Sequence, residues 1–311
     1  MTDAVQHNSD TTSTEPPDHP TRTALVLGGG GSAGNAWLIG VIAGLRDAGV
    51  DVTEADLIVG TSAGSTAAAQ ITGATPADLL ADILTAPPHP PAGPAASARG
   101  PVAARTVANR MKTTSAIIAA AADAADMRRR FGAAALEPDA AADGSARWRT
   151  TVAARLPSEI WPHRRMLITA VDARTGEPVV FDRHSGVDLV DAVAASCSSG
   201  PAYSVGDNRY IDGGFRSNAD NADLAAGYAR VLVLSPFGGR SRTPEHWGTH
   251  LATQVDELRA HGSRVETVFP DSTARAAFGD NAMDLSMRPA AARAGYDQGR
   301  ALAGELTEFW R

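Results

Sequence analysis

The sequence predicts an α/β fold in which helices cover both faces of a mainly parallel sheet. Short apolar runs with the length of buried strands alternate along the chain with helical patterns, which is typical of parallel sheets. The clearest runs are Ala24–Leu27, Leu57–Val59, Arg165–Val171 and Val231–Leu234. The 311 residues, 43% of them hydrophobic, suffice for one large α/β domain or two small ones.

The middle of the chain is predicted to be mainly helical. Thr75 as N-cap and Pro76 in the first helical position predict one helix. After a proline-rich break, an Ala- and Arg-rich segment over 98–135 predicts one or two more. Arg128–Arg130 within it is either a solvated helix face or a basic patch facing anionic lipid. Residues 140–150 are predicted to form a loop.

A hairpin and further helices follow. Arg165–Val171 and Val179–Phe181 flank turn residues and therefore predict paired strands. Ser185 and Asp188 have the spacing of a capping box and predict a helix over 187–196. Beyond the strand at 231–234, the last third of the chain is predicted to be helical.

Composition argues against several classes of protein. The formal net charge of −7 disfavours a nucleic-acid binder, which would usually carry a basic surface. The single cysteine, Cys197, rules out an intramolecular disulfide framework, and we expect it to be a buried structural thiol. The eight histidines are scattered without the spacing of a metal site, so we expect neither a metal nor another cofactor.

The first 22 residues are typical of a disordered tail. They are polar, contain three prolines and lack the apolar core of a secretory signal. No run of about 18 apolar residues predicts a membrane span. We therefore expect a cytoplasmic protein, at most peripheral at membranes.

The first apolar run ends in a glycine-rich loop, Gly28–Gly34, and a helical pattern follows from about Ala36 to Ala48. The loop contains the Gly-x-Gly-x-x-Gly spacing of dinucleotide-binding proteins. In those folds an acidic residue follows the second strand, whereas Glu54 and Asp56 precede it here. Successive glycines also let backbone N–H groups point into a site. We therefore favour an oxyanion hole over a cofactor loop or a plain turn.

The second apolar run leads into Gly60-Thr61-Ser62-Ala63-Gly64, the pattern of a nucleophile elbow. A strand that turns abruptly into a helix leaves no room for Cβ atoms beside the turn, so the flanking residues are glycines. The Ala-rich run Ala67–Ile71 is typical of the helix that follows. Ser62 is then expected at the apex, in a strained conformation, with its hydroxyl at a helix N-terminus.

Together with Asp212-Gly213-Gly214, these two motifs resemble those of the patatin-like phospholipases, over about Thr23 to Leu234. The resemblance implies a three-layer α/β/α sandwich, a single catalytic domain over 23–311 and a variable helical or lid region over about 87–150. It also implies a serine–aspartate dyad without histidine. By their matching positions, Ser62 would be the nucleophile, Asp212 the base, and Gly29, Gly30 and Gly31 the oxyanion hole; the other motif glycines are Gly28, Gly34, Gly60, Gly64, Gly213 and Gly214.

The activity implied by the resemblance is hydrolysis of acyl esters of phospholipids, lysophospholipids, galactolipids or neutral glycerides through an acyl-enzyme. The partner would be an acyl-ester lipid, with transient contact at a membrane surface, and the oligomeric state is not predicted. Two positions depart from the family pattern. Ala33 stands where members usually carry Arg or Lys, and Ser198–Pro201 lacks the usual proline-glycine order.

Simple physical chemistry is consistent with this dyad. A serine nucleophile needs a base within hydrogen-bond reach. An aspartate with an unperturbed pKa of about 3.9 is a poor base at pH 7, but burial would raise the proton affinity of Asp212. Alone, Asp212-Gly213-Gly214 is as consistent with a simple turn as with a catalytic aspartate.

Three alternatives stay open at this point. A histidine-dependent α/β-hydrolase would use Ser62 and Asp212 with His246, His250 or His261, in the usual chain order. In that fold several strands precede the elbow, whereas one does here. An acyltransferase would pass the same acyl group to an acceptor other than water. A non-catalytic lipid-binding relative would retain the elbow only as scaffold.

Overall fold

A computed structural model of the chain describes residues 22–87, 112–137, 142–279 and 281–311. Its strands are β1 Thr23–Leu27, β2 Leu57–Gly60, β3 Arg165–Asp172, β4 Pro178–Phe181, β5 Tyr203–Val205, β6 Asn208–Asp212, β7 Arg230–Leu234 and β8 Arg264–Val268. They form one eight-stranded sheet in the order β5-β6-β3-β2-β1-β7-β8, with β4 paired to β3. The neighbouring strands β3, β2, β1, β7 and β8 pair in parallel. Strands β4 and β6 pair antiparallel with β3, and β5 pairs antiparallel with β6.

Helices lie on both sides of this sheet. They are α1 Gly31–Asp47, α2 Ala63–Gly73, α3 Pro76–Thr85, α4 over 112–120, α5 Ala124–Leu136, α6 Ala142–Ala153, α7 Leu189–Ser196, α8 Leu251–Ala260, α9 Ser272–Phe278 and α10 Arg288–Trp310. The observed architecture confirms the predicted mainly parallel α/β fold with three layers. No helix that the structure describes is both long enough and apolar enough to cross a membrane.

The alternation of side chains along the central strands divides the core between two faces. Leu25 and Leu27 of β1 pack on the side of α1, α2, α7 and α10. Ala24 and Val26 point to the opposite side, where Leu251 and other residues of α8 cover them. Because successive side chains of a strand point to opposite faces, a strand covered on both sides must be apolar at every position. This explains the unbroken apolar runs in the sequence.

Helices α1 and α10 pack closely because the glycines of each helix face the backbone of the other. A Cβ atom on Gly40 or Gly44 of α1 would overlap backbone carbonyl oxygens of α10. In the other direction, a Cβ on Gly295 or Gly299 would overlap carbonyl oxygens of α1. The two helices therefore approach until only glycine fits between them. This contact fixes α1, whose first turn carries part of the glycine loop.

Helix α1 begins earlier than predicted, at Gly31 rather than at about Ala36. Glycine has a low intrinsic helix propensity, which favoured a loop up to residue 34. In the structure, thirteen residues of α1 are buried, and tertiary packing outweighs propensity. A Cβ on Gly34 would lie 3.0 Å from Pro236, so glycine serves close packing at this helix start.

The prediction of a loop over 140–150 is wrong, because α6 covers most of this segment. Trp148 on this helix donates its indole N–H to the carbonyl of Ala194 at 3.0 Å, and Arg149 donates to Asp191 at 3.1 Å. These tertiary contacts with α7 hold a segment whose small and polar residues gave no periodic signal.

Two local predictions in the second half need correction. The capping box of Ser185 and Asp188 does not form: Ser185 closes a turn with Asp182, and Asp188 makes no capping hydrogen bond, so α7 starts at Leu189. The last third is not wholly helical, since β8 lies within it. By contrast, the helix capped by Thr75 and the hairpin of β3 and β4 are confirmed.

The basic run on α5 is divided between two environments. Arg129 and Arg130 are about half exposed and pair with Asp126. Arg128 instead donates to the carbonyl oxygens of Gly176 and Arg216. The predicted tail lies outside the described residues except for Arg22, as do 88–111 and 138–141 of the predicted variable region.

Candidate active site

Both glycine motifs lie at the carboxyl edge of the sheet. The glycine loop follows β1 and the elbow follows β2, and these neighbouring parallel strands place Leu27 opposite Gly60. The N–H of Thr61 donates to the carbonyl of Leu27 at 3.1 Å, which ties the two turns together. Asp212 ends β6, where it pairs with Ala170 of β3.

Ser62 occupies a strained turn between β2 and α2. Its φ of 52° and ψ of −116° lie where non-glycine residues are rare. A Cβ on Gly64 would overlap the carbonyl oxygen of Leu27, and one on Gly60 would lie 2.6 Å from Ser65 Cα. The turn therefore requires both flanking glycines, and a strained residue of this kind indicates a functional position.

The structure brings Ser62 and Asp212 together across 150 positions of the chain. Ser62 Oγ donates to Asp212 Oδ2 at 2.8 Å, and the other carboxylate oxygen accepts the N–H of Gly214 at 2.8 Å. Asp212 is 7% exposed. Burial raises the pKa of its carboxyl to about 6, against the lowering effect of the hydrogen bonds from Gly214 and Ser62. The direction of this shift agrees with the expectation from the sequence.

The end of α7 holds the backbone of the elbow. The N–H of Ser62 donates to Ser196 Oγ at 2.9 Å. The thiol of Cys197 donates to the carbonyl of Ser62 at 3.2 Å, and burial raises its pKa to about 11. The thiol is therefore neutral at pH 7, Cys197 is partly buried, and its structural role stays a prediction. The carbonyl of Ser198 accepts the N–H of Asp212 at 2.9 Å, so this segment supports both members of the pair.

Asn221 links three parts of the site that are distant in sequence, and the sequence reading did not identify it. Its side-chain N–H₂ donates to Thr61 Oγ1 at 3.0 Å and to the carbonyl of Gly213 at 3.1 Å. Thr169 Oγ1 on β3 also donates to Thr61 Oγ1. Asn221 adopts a left-handed conformation with φ of 56°, which asparagine tolerates better than most residues. An asparagine that follows Asp-Gly-Gly by seven residues was the available signal.

The glycine loop faces the nucleophile. A Cβ on Gly29 would lie 3.5 Å from the Cβ of Ser62. The N–H of Gly28 donates to Leu234 and that of Gly29 to Ala219, both to carbonyl oxygens. Within the described residues, the N–H groups of Gly30 and Gly31 have no partner. Gly29, predicted as an oxyanion donor, therefore has its N–H already engaged in this conformation.

A cation approaches the first turn of α1 from elsewhere in the chain. Ala33 lacks the basic side chain that the family pattern has there. However, Arg288 at the start of α10 donates to the carbonyl of Ser32 and to Asn35 Oδ1, both at 3.0 Å. Burial lowers the pKa of this guanidinium to about 10, so it remains charged at neutral pH.

The histidines of the alternative triad lie in other contacts. His250 Nε2–H donates to the carbonyl of Thr243 at 2.7 Å, and His261 Nδ1–H to that of Glu257 at 2.7 Å. His246 packs edge-on against Trp247. Among the described residues, the carboxylate of Asp212 contacts only Ser62 and Gly214 as hydrogen-bond donors. The described residues contain no group of three or more His, Cys, Asp or Glu arranged to hold a metal.

An open groove with a volume of about 760 Å³ lies between α4 and the segment 242–247. Ile118, Pro244 and Trp247 are among its apolar lining residues, and Arg242 and His246 are among its polar ones. Trp247 and Ile118 pack against the cluster that contains Ile211. Because successive side chains of a strand point to opposite faces, Ile211 and Asp212 lie on opposite faces of β6.

Comparisons with known proteins identify the family. Among solved structures, the type III effector protein ExoU is similar to this chain, with 15% sequence identity and a TM-score of 0.36. The alignment covers 94% of this chain and 54% of the ExoU chain. This chain thus spans about half the length of that structure's chain. A search of curated proteins finds no significant match. The family model described as patatin-like phospholipase matches residues 25–225, well over half of the chain. The chain therefore belongs to the patatin-like phospholipase family.

Proposed function

We propose that this protein is a serine lipid acyl hydrolase with Ser62 as nucleophile and Asp212 as general base. Membership of the patatin-like phospholipase family supports a lipid acyl hydrolase in general. The observation that carries the specific assignment is the hydrogen bond of 2.8 Å from Ser62 Oγ to Asp212 Oδ2, made at a strained elbow. A nucleophile in contact with its base is the arrangement that covalent catalysis requires.

The proposed reaction has two steps. In the first, Asp212 accepts the Ser62 proton while Oγ attacks the ester carbonyl carbon, and the alcohol leaves with that proton. The product is an acyl-enzyme on Ser62. In the second, Asp212 removes a proton from water, the resulting hydroxide attacks the acyl carbon, and Ser62 leaves as an alkoxide that recovers the proton from Asp212. A carboxyl with a pKa of about 6 is ionised at pH 7 and is far more basic than an exposed aspartate.

We assign the oxyanion to the N–H groups of Gly30 and Gly31. Gly30 and Gly31 follow Gly29, which faces Ser62, and neither donates to another described residue. They begin α1, whose N-terminus favours a developing negative charge. Gly29 would contribute only if its bond to Ala219 opened.

We further propose that the carboxyl edge of the sheet touches a lipid surface. Phe237 and Phe269, the first just beyond β7 and the second directly after β8, are 38% and 42% exposed. Met283, which is 60% exposed, faces Gly31 of the glycine loop. Exposed apolar side chains around a site are typical of a surface that binds lipid or protein.

Labelling with a fluorophosphonate probe tests the assignment. Wild-type protein should gain one adduct by intact mass and should hydrolyse p-nitrophenyl esters, whereas Ser62→Ala should do neither. Ser272→Ala is the matched control, because Ser272 is an exposed residue in the first turn of α9, and it should retain both activities. Adduct formation in Ser62→Ala would refute the nucleophile assignment. A wild-type protein that stays unlabelled even in mixed lipid–detergent micelles would favour a non-catalytic lipid-binding protein.

A further inference from the structure

A second buried carboxyl lies beside the glycine loop and has no role in the mechanism above. Asp220 is 2% exposed. Its Oδ1 atom is buried and has no hydrogen-bond partner in the described part of the chain. A buried polar atom without a partner is unfavourable, so folded proteins contain few of them. Its retention therefore calls for an explanation.

The contacts of Asp220 place it directly against the start of the glycine loop. A Cβ on Gly28 would overlap Asp220 Oδ1, so the loop and the carboxyl touch. The preceding residue, Ala219, accepts the N–H of Gly29 through its carbonyl at 2.8 Å. Asn218 Oδ1 accepts the N–H of Asp220 at 2.7 Å and so fixes this segment. Asp220 thus supports the loop whose next N–H groups we assign to the oxyanion.

We propose that Asp220 is a positioning residue that makes hydrolysis dependent on pH, active when its carboxyl is neutral and inhibited when it is ionised. This inference rests on the proposed function. A neutral acid is compatible with burial against the loop. An ionised carboxylate would place a negative charge beside the backbone that must stabilise the negatively charged oxyanion.

The groups next to Asp220 carry no charge that would alter its pKa. From the loop it meets Gly28, and from the end of β7 it meets Ser235; both are uncharged. Asn218 on its own segment is uncharged too. Burial raises the pKa of Asp220 to about 7, against the lowering effect of the Ser235 hydroxyl. No charged side chain of the described residues contributes to this pKa.

Because Asp212 and Asp220 must be in opposite protonation states for activity, kcat/KM should depend on pH in a bell-shaped way. Asp212 must be ionised to act as base, and its pKa is about 6. Asp220 must be protonated, and its pKa is about 7. Wild-type kcat/KM should therefore rise through pH 6 and fall above pH 7. In Asp220→Asn the fall should disappear, so the activity ratio of variant to wild type should grow about tenfold from pH 6 to pH 8.

The experiment measures kcat/KM for a p-nitrophenyl ester from pH 5 to pH 8.5, with the rate of fluorophosphonate labelling as a second readout. The variants are Asp220→Asn and, as a matched control, Asp207→Asn. Asp207 lies exposed between β5 and β6, so losing its charge should leave the profile unchanged. A merely structural role for Asp220 would lower activity equally at all pH values.

The outcomes separate this inference from the proposed function. An alkaline limb in wild type that Asp220→Asn loses supports the inference. Parallel profiles, or no alkaline limb in wild type, overturn it while leaving the hydrolase intact. Wild type that is inactive and unlabelled at every pH overturns both. If Asp220→Asn does not fold, Ser235→Ala replaces it: removing the hydroxyl that lowers the Asp220 pKa should move the alkaline limb to higher pH, and an unmoved limb refutes the inference.

Discussion

Replacement of Asp212, the proposed general base, gives the sharpest test at the scale of one residue. Asp212→Asn retains the shape and the hydrogen bond from Gly214 but cannot accept the Ser62 proton. Since general base catalysis contributes roughly 10²–10⁴-fold, we expect kcat/KM to fall by at least about 100-fold. Ester hydrolysis at pH 7 measures the effect. Circular dichroism and the thermal midpoint verify the fold.

Two control variants accompany Asp212→Asn. Asp207→Asn removes an exposed carboxylate and should leave kcat/KM unchanged. Replacing His246, His250 and His261 together by glutamine should also preserve hydrolysis, because their observed contacts are with other groups. Near-full activity of Asp212→Asn, or its loss in the histidine variant, would contradict the dyad.

At the scale of elements, the two neighbouring strands β1 and β2 explain why so much of the site was predictable. Each strand is an apolar run followed by glycines, and parallel neighbours end at the same edge of a sheet. Sequence therefore predicted that the glycine loop and Ser62 lie together. Ser62 Oγ donates a hydrogen bond to Asp212, and the catalytic roles of the two residues stay a prediction.

What the sequence did not predict depends on contacts between distant segments. Asn221 joins the elbow to the Asp212 turn, but its role exists only once β2 and β6 are assembled. Asp220 looks like an ordinary polar loop residue, and only the structure shows its burial. Helix α6 forms against α7 although its own residues give no periodic signal. In each case tertiary packing outweighs local preference.

The packing of α1 against α10 gives a prediction for this pair of elements. Gly44→Ala places a Cβ where Tyr296 has its carbonyl oxygen. Since the overlap is with backbone, the helices must separate, and we expect a loss of about 1–3 kcal/mol in the free energy of unfolding. Urea denaturation followed by circular dichroism measures it.

A glycine elsewhere on the same helix pair serves as control for this change. Gly304 of α10 has open space where its Cβ would lie. Gly304→Ala should therefore be neutral or stabilising by up to about 1 kcal/mol, through helix propensity alone. Equal effects of the two substitutions would show that packing between α1 and α10 does not require the glycine.

For the molecule as a whole, the two buried carboxyls predict that folding stability decreases as pH rises. Burial raises the pKa of Asp212 to about 6 and that of Asp220 to about 7, whereas both groups have pKa values of about 3.9 in the unfolded chain. Between pH 4 and pH 7 the folded state therefore holds protons that the unfolded state releases, and this favours unfolding. The stabilising contribution of the two protonated carboxyls is fully present below pH 4 and is lost as pH rises through 7.

Asp220 alone should account for about 2–3 kcal/mol of the loss between pH 5 and pH 8. We expect the urea-derived free energy of unfolding of wild type to be lower at pH 8 than at pH 5. In Asp220→Asn the difference between the two pH values should shrink by that amount, whatever the variant's absolute stability. Hydrogen bonds lower the pKa values of Asp126 and Asp182, so both are ionised throughout pH 5 to pH 8 and do not affect the comparison. An identical pH dependence in the two proteins would show that Asp220 ionises normally in the fold, which would remove the basis for its effect on the glycine loop.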